Sequence, residues 1–176
     1  YPEMLEALRP RYEAARAKAQ RESTDKVKKG VGLSMGCYGC GLDGPDGSEA
    51  WAILNPDDTV TIATAWEDHG QGADMGAIGT AHEALRPMGV TPDRLRFTWP
   101  DTAKTPNSGP SGGSRQQVMT GSSIRVACNE LMAGLRKPDG TYMNYAEASA
   151  AGKPLKYAGK FSVPGVGCNE KGQGKP

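Results

Sequence analysis

Glycine fills 24 and proline 13 of the 176 positions, well above the usual share, so loops carry an unusual part of this chain. The length suits about one domain with one core. Charge is balanced, with 21 Lys+Arg against 20 Asp+Glu and a net charge of +1, so the basic excess of a nucleic-acid binder is missing. The longest apolar run, Ala50 to Leu54, is far below the ~20 residues of a membrane helix, and no signal-like stretch opens the chain. These features predict a protein without a membrane or nucleic-acid partner, and the sparse cysteines favour the cytoplasm.

Residues 1–25 place Met4, Leu5, Leu8, Tyr12, Ala15 and Ala19 at helical spacing, which predicts a charged amphipathic arm with a kink or restart at Pro10. Residues 26–176 would form the body. Val31, Leu33 and Met35 alternate as a short strand. Ala50–Leu54 and Thr59–Trp66 are expected to pair as a hairpin around Asn55-Pro56-Asp57-Asp58, where proline presets φ and Asx side chains bond the backbone. A helix follows from Ala73 until Pro87. A strand is expected at Leu95–Trp99, a helix around Ile124–Leu135, a short helix at 144–151 and a last strand at 155–163. The fold class is α+β: a small mixed sheet with a hairpin and two main helices, without the regular βαβ lengths of a doubly wound sheet.

Two stretches share one plan, a glycine-rich loop running straight into a helix. The first is Trp66-Glu67-Asp68-His69-Gly70-Gln71-Gly72; the second is Asn107-Ser108-Gly109-Pro110-Ser111-Gly112-Gly113-Ser114-Arg115-Gln116. A helix start offers free N–H groups and partial positive charge, and glycine lets a ligand reach the backbone, so each loop is a candidate anion cradle. Arg115 would add a charged donor. The same glycines read equally as turns, with Ser114 or Asp68 as helix caps. Neither Gly70-Gln71-Gly72 nor Gly30-Val31-Gly32 completes a dinucleotide fingerprint, and Gly167–Gly172 is followed by Gln173 where a phosphate loop needs Lys. His69 stands in the first loop, within reach of a polar ligand, whereas His82 falls inside a helix. One loop histidine and the lone pair Cys37 and Cys40 do not make a zinc site, and nothing beside those thiols marks a nucleophile.

These two loops at this separation, with Gly36-Cys37-Tyr38-Gly39 before them, closely resemble the molybdenum-containing aldehyde oxidoreductases of the xanthine oxidase family. The resemblance covers essentially the whole chain. It implies a piece of the large molybdenum-binding domain, in which loops from distant sequence clasp molybdopterin cytosine dinucleotide. By that resemblance His69, Gly70 and Gln71 stand on the pterin side near the metal, and Ser111, Gly112, Gly113, Ser114, Arg115 and Gln116 wrap the pterin and phosphate edge. The implied chemistry is hydroxylation of an aldehyde to a carboxylic acid, with oxygen from water and electrons leaving through [2Fe-2S] clusters outside this chain. The implied partners are the remaining segments of the same oxidoreductase and its aldehyde substrate, with a homodimer of the full enzyme among the assemblies it allows.

One departure is plain: the family's catalytic glutamate lies in a Gly-Val-Gly-Glu stretch, and Gly165-Val166-Gly167-Cys168 has cysteine there. No catalytic residue and no metal ligand is therefore expected in this chain, which reads as part of something longer and inactive alone. The reading from another class is a non-catalytic binding or assembly module that keeps the fold and uses its loops as turns.

Overall fold

The computed structural model describes residues 2–36, 44–165 and 170. Contacts divide the chain into two compact units, Tyr1–Gly39 and Cys40–Pro176. In the first, helix α1 (Pro2–Arg21) runs continuously, with Pro10 inside it and no break there. Ser23 Oγ then donates to Ala19 O at 2.9 Å and accepts from Lys29 N at 3.0 Å, folding the chain back after the helix. The strand expected at Val31–Met35 does not form, and Leu33 and Met35 are about half exposed. Alternation supplies one face of a strand, but a strand also needs a ladder, and among the described residues this segment pairs with none.

The second unit is a four-stranded sheet with two long helices. Strands β1 (Asp46–Leu54), β2 (Val60–Ala63), β3 (Leu95–Thr98) and β4 (Lys156–Val163) lie in the order β3-β2-β1-β4. β1 pairs antiparallel with β2 and β4, whereas β2 and β3 are parallel. The hairpin turn forms as expected: Asn55 N donates to Thr59 O, and Asp57 Oδ1 accepts from Thr59 N and Oγ1. Helix α2 (Ala73–Leu85) crosses from β2 to β3. The sheet therefore holds one parallel βαβ unit beside an antiparallel meander, which makes it mixed. Helix α3 (Arg115–Leu135) begins directly after Ser114. Helix α4 (Tyr145–Ala150) starts with a capping box between Asn144 and Glu147.

α3 packs on β1 and β4, α2 on β3, and the two helices pack on each other. The sheet face beneath them is lined with small residues: Ala50, Ala52 and, opposite Ala50, Gly159. A side chain at Gly159 would run into Ser123 O and the backbone of Ala127, so that glycine allows helix backbone to rest on strand backbone. Ile62, Leu85, Ile124, Leu131 and Leu135 fill the remaining core and are wholly buried.

Two glycine substitutions separate close approach from mere flexibility. Gly159→Ala should cost about 2–3 kcal/mol, because the obstacle is backbone that has no rotamer to escape into. Gly79→Ala, within α2 and with nothing within 4 Å of its new methyl, should stabilise by about 1 kcal/mol. Urea unfolding midpoints of the two variants check both signs.

Candidate functional site

The first loop leaves β2 through Thr64, whose Oγ1 accepts from Trp66 N at 2.7 Å. The Trp66 ring is buried against α2 at Gly76, where an added carbon would lie 3.3 Å from the indole. This contact sets the distance between the loop and the helix it feeds. Beyond it, Asp68 Oδ1 accepts from Gly70 N at 2.7 Å and Gly72 N at 3.2 Å. Those N–H groups, with the backbone of residues 73 and 74, hold the Asp68 carboxyl below its ordinary value. Asp74 moves the other way, raised by burial and by the neighbouring Asp68 charge. The cradle at the start of α2 thus already has a carboxylate in it. Gln71 is folded onto its own loop, accepting from His69 N at 2.6 Å and donating to Glu67 O at 3.1 Å. The His69 side chain is exposed.

The second loop is fastened to the first by two serines. Ser108, fully buried, donates to Glu49 O at 2.8 Å and accepts from Ala65 N at 2.9 Å. Ser111 Oγ donates to the Glu67 carboxylate and accepts from Glu67 N at 3.3 Å. The loops therefore form one rim, beside a recess lined by Ala65, Glu67, Asp101, Thr105, Asn107 and Pro110. Sequence reasoning missed Ser108 and Glu67 as fasteners, because their partners lie 43 and 44 residues away.

Arg115 lies behind the second loop, and each of its five N–H groups is engaged within the chain. Nε and Nη2 donate to the two Asp46 oxygens at 2.6 Å each, Nη2 also to Gly47 O at 2.8 Å, and Nη1 to Ser108 O at 2.9 Å and Pro110 O at 3.0 Å. Gln116 is also turned inward: 3% exposed, it donates to Gly109 O at 2.9 Å and accepts from Thr120. Both hold the loop.

What faces outward is backbone. α2 and α3 each begin after a residue in the left-handed region, Gly72 at φ 81° and Ser114 at φ 65°, and neither of these side chains caps its helix. Around Gly70, Gly72 and Gly112 a side chain would meet nothing within 4 Å. At the start of α3 the backbone of Gly112, Gly113 and Ser114 is exposed, whereas the amides ahead of α2 are taken by Asp68. Among the described residues no three His, Cys, Asp or Glu are grouped to hold a metal, and no helix is long and apolar enough to cross a membrane. Cys37, Cys40 and Cys168 lie outside the described residues. Cys128 is buried in α3, its thiol pushed up to about 12 by burial.

The family model for the molybdopterin cofactor-binding domain matches residues 7–176. The chain belongs to this family. It is 63% identical, over 99% of its length, to an aldehyde oxidoreductase of Megalodesulfovibrio gigas, of which it spans 20%. The solved aldehyde oxidoreductase of Desulfovibrio gigas superposes with a TM-score of 0.72 at 62% identity, and that of Desulfovibrio desulfuricans with 0.72 at 55%. Each of these matches covers 99% of this chain and about a fifth of the other. The α+β architecture of this cofactor-binding domain is that of a part of a larger molecule.

The rim's polar fastening makes two predictions. Ser108→Ala strands a half-buried carbonyl and a half-buried amide and should cost about 1–2 kcal/mol, with faster exchange of the Ala65 amide by NMR. Asp46 is held below its ordinary 3.8, first by the Arg115 hydrogen bonds. Its contribution is therefore complete above about pH 4 and is lost as pH falls through the lower folded value. Hydrogen exchange of the 108–114 amides, relative to its intrinsic rate at each pH, should accelerate as pH drops from about 4 to 2, and in Asp46→Asn it should be fast already at the upper end.

Proposed function

We propose that this chain is the part of a molybdenum-dependent aldehyde oxidoreductase that presents two backbone loops to molybdopterin cytosine dinucleotide. The observation that carries the reading is the exposed backbone of Gly112, Gly113 and Ser114 at the start of α3, in a loop fastened to the first by Ser108 and Ser111. The donor chemistry fits an anionic cofactor: peptide N–H groups, the exposed backbone at Gly112, Gly113 and Ser114, and polar side chains, with no cluster of metal ligands among the described residues.

His69, Gly70 and Gln71 would meet the cofactor from the first loop, and Ser111, Gly112, Gly113 and Ser114 from the second. Gln71 offers both ends of its amide once it leaves its own loop. Arg115 and Gln116 keep the second loop in shape from behind. When bound, the cofactor supplies the two-electron oxidation that converts an aldehyde and water to a carboxylic acid. The work of this chain is binding and orientation. The catalytic base, the [2Fe-2S] clusters that carry electrons away and most of the substrate channel belong to the remaining segments of the enzyme, with which this chain would be continuous or associated in the cytoplasm. The full enzyme would act as a homodimer.

The test is a substitution that fills the open side of the loop without touching its fastening. Gly112→Val in the intact oxidoreductase should leave the unfolding midpoint within a degree or two, yet lower bound molybdenum and acid-released cytidine nucleotide roughly tenfold. Elemental and nucleotide analysis of purified enzyme reads both. Unchanged content would move the site elsewhere and favour a module whose glycines serve only as turns.

A further inference from the structure

The second loop has almost nothing apolar with which to hold its shape. From Asn107 to Ser114 only Pro110 lacks polarity or a glycine's freedom, and Gly109 at φ 72° and Gly113 at φ 49° occupy the left-handed region. Such a segment, left alone, samples many conformations. Ser108, Ser111 and Gln116 each fasten one point of it, and Arg115 ties it to the sheet from behind. The Arg115 guanidinium, whose side chain is 10% exposed, takes the carbonyls of Ser108 and Pro110 on one edge and Asp46 with Gly47 on the other. Asp46 opens β1 and is paired with Val163 of β4, so the sheet is the anchor. Gly109 passes so close that a side chain there would strike the guanidinium.

We propose that Asp46 and Arg115 are a positioning pair, which presets the Ser111–Ser114 backbone for the cofactor without Arg115 touching it. The proposal rests on the reading of this loop as a cofactor site. Its ground is donor accounting: with all five N–H groups engaged and its charge matched by Asp46, Arg115 has no directed bond left for a phosphate. The role also demands arginine. A lysine ammonium is a single point with three donors and does not span four acceptor residues on two edges.

The experiment uses the intact oxidoreductase with Arg115→Lys, Asp46→Asn, both together, and Gly112→Val as a control on the site itself. Two quantities are read: the rate at which molybdenum and cytidine nucleotide leave the enzyme, compared at temperatures equally far below each variant's unfolding midpoint, and hydrogen exchange of the 108–114 amides in cofactor-free enzyme. The expected result is roughly tenfold faster release and exchange in each single variant, with the double variant no worse than the stronger single, as for residues acting as one unit. Faster release in Arg115→Lys with Asp46→Asn unchanged would make Arg115 a direct ligand and overturn the proposal. So would altered midpoints with release and loop exchange unchanged, the mark of a purely structural pair. If Gly112→Val also keeps its cofactor, the site reading fails instead. Should Asp46→Asn not fold, Arg115→Lys decides alone through loop exchange, which a direct ligand would leave unaltered in cofactor-free enzyme.

Discussion

The backbone of α3 rests on the backbone of β4 at Gly159, and most of the second unit is arranged around that contact. Small residues on both sides, Ala50 and Ala52 on β1 and Ala127 on α3, allow the approach. It also brings Ser48 within hydrogen-bonding distance of Thr120 at 2.9 Å and Ser123 at 3.3 Å, a wholly internal polar cluster. Buried hydroxyls are stable only when paired; Thr120 and Ser123 also have partners within their own helix, but Ser48 finds both of these partners across the gap because the helix lies so close. The helix start, and the loop that precedes it, are thereby set relative to the sheet by contacts that tolerate little adjustment.

From that placement the rim gains its order by polar means. The loops carry few apolar groups to bury, so their conformations are selected by hydrogen bonds in which Ser108 and Ser111 accept from main-chain N–H groups and Arg115 and Gln116 donate to main-chain carbonyls. A site built this way recognises charge and shape, and it depends on residues that never face the ligand.

Where order comes from neighbours in sequence, it is legible in the sequence. Asn55-Pro56-Asp57-Asp58 announces its turn, Asn144 and Glu147 announce a helix start, and the periods of α2 and α3 are plain because each has one buried stripe. Pairing is less legible. The parallel partnership of β2 and β3 depends on α2 crossing between them, which no local pattern records. Val31–Met35 alternates as well as β3 does and yet forms no strand, since a ladder partner is a property of the fold. At the proposed site, the two glycine-rich loops that lead into helices can be picked out, but the Arg115 ion pair cannot: its carboxylate lies 69 residues away. Asp68 is legible, since an Asp just ahead of a helix reads as a capping residue, and its carboxylate does turn back onto the Gly70 and Gly72 amides.

That carboxylate changes what the first cradle selects. Tethered a few residues from the amides it occupies, Asp68 competes as if present at a very high local concentration, and its lowered affinity for protons keeps it charged. A solitary chloride, sulfate or free phosphate has little to gain by evicting it. A large ligand, gripped at the same time along the second loop, can meet that cost from its other contacts. In the proposed site, a rim of this kind would stay closed to the small anions of its surroundings while remaining open to one long, many-jointed guest.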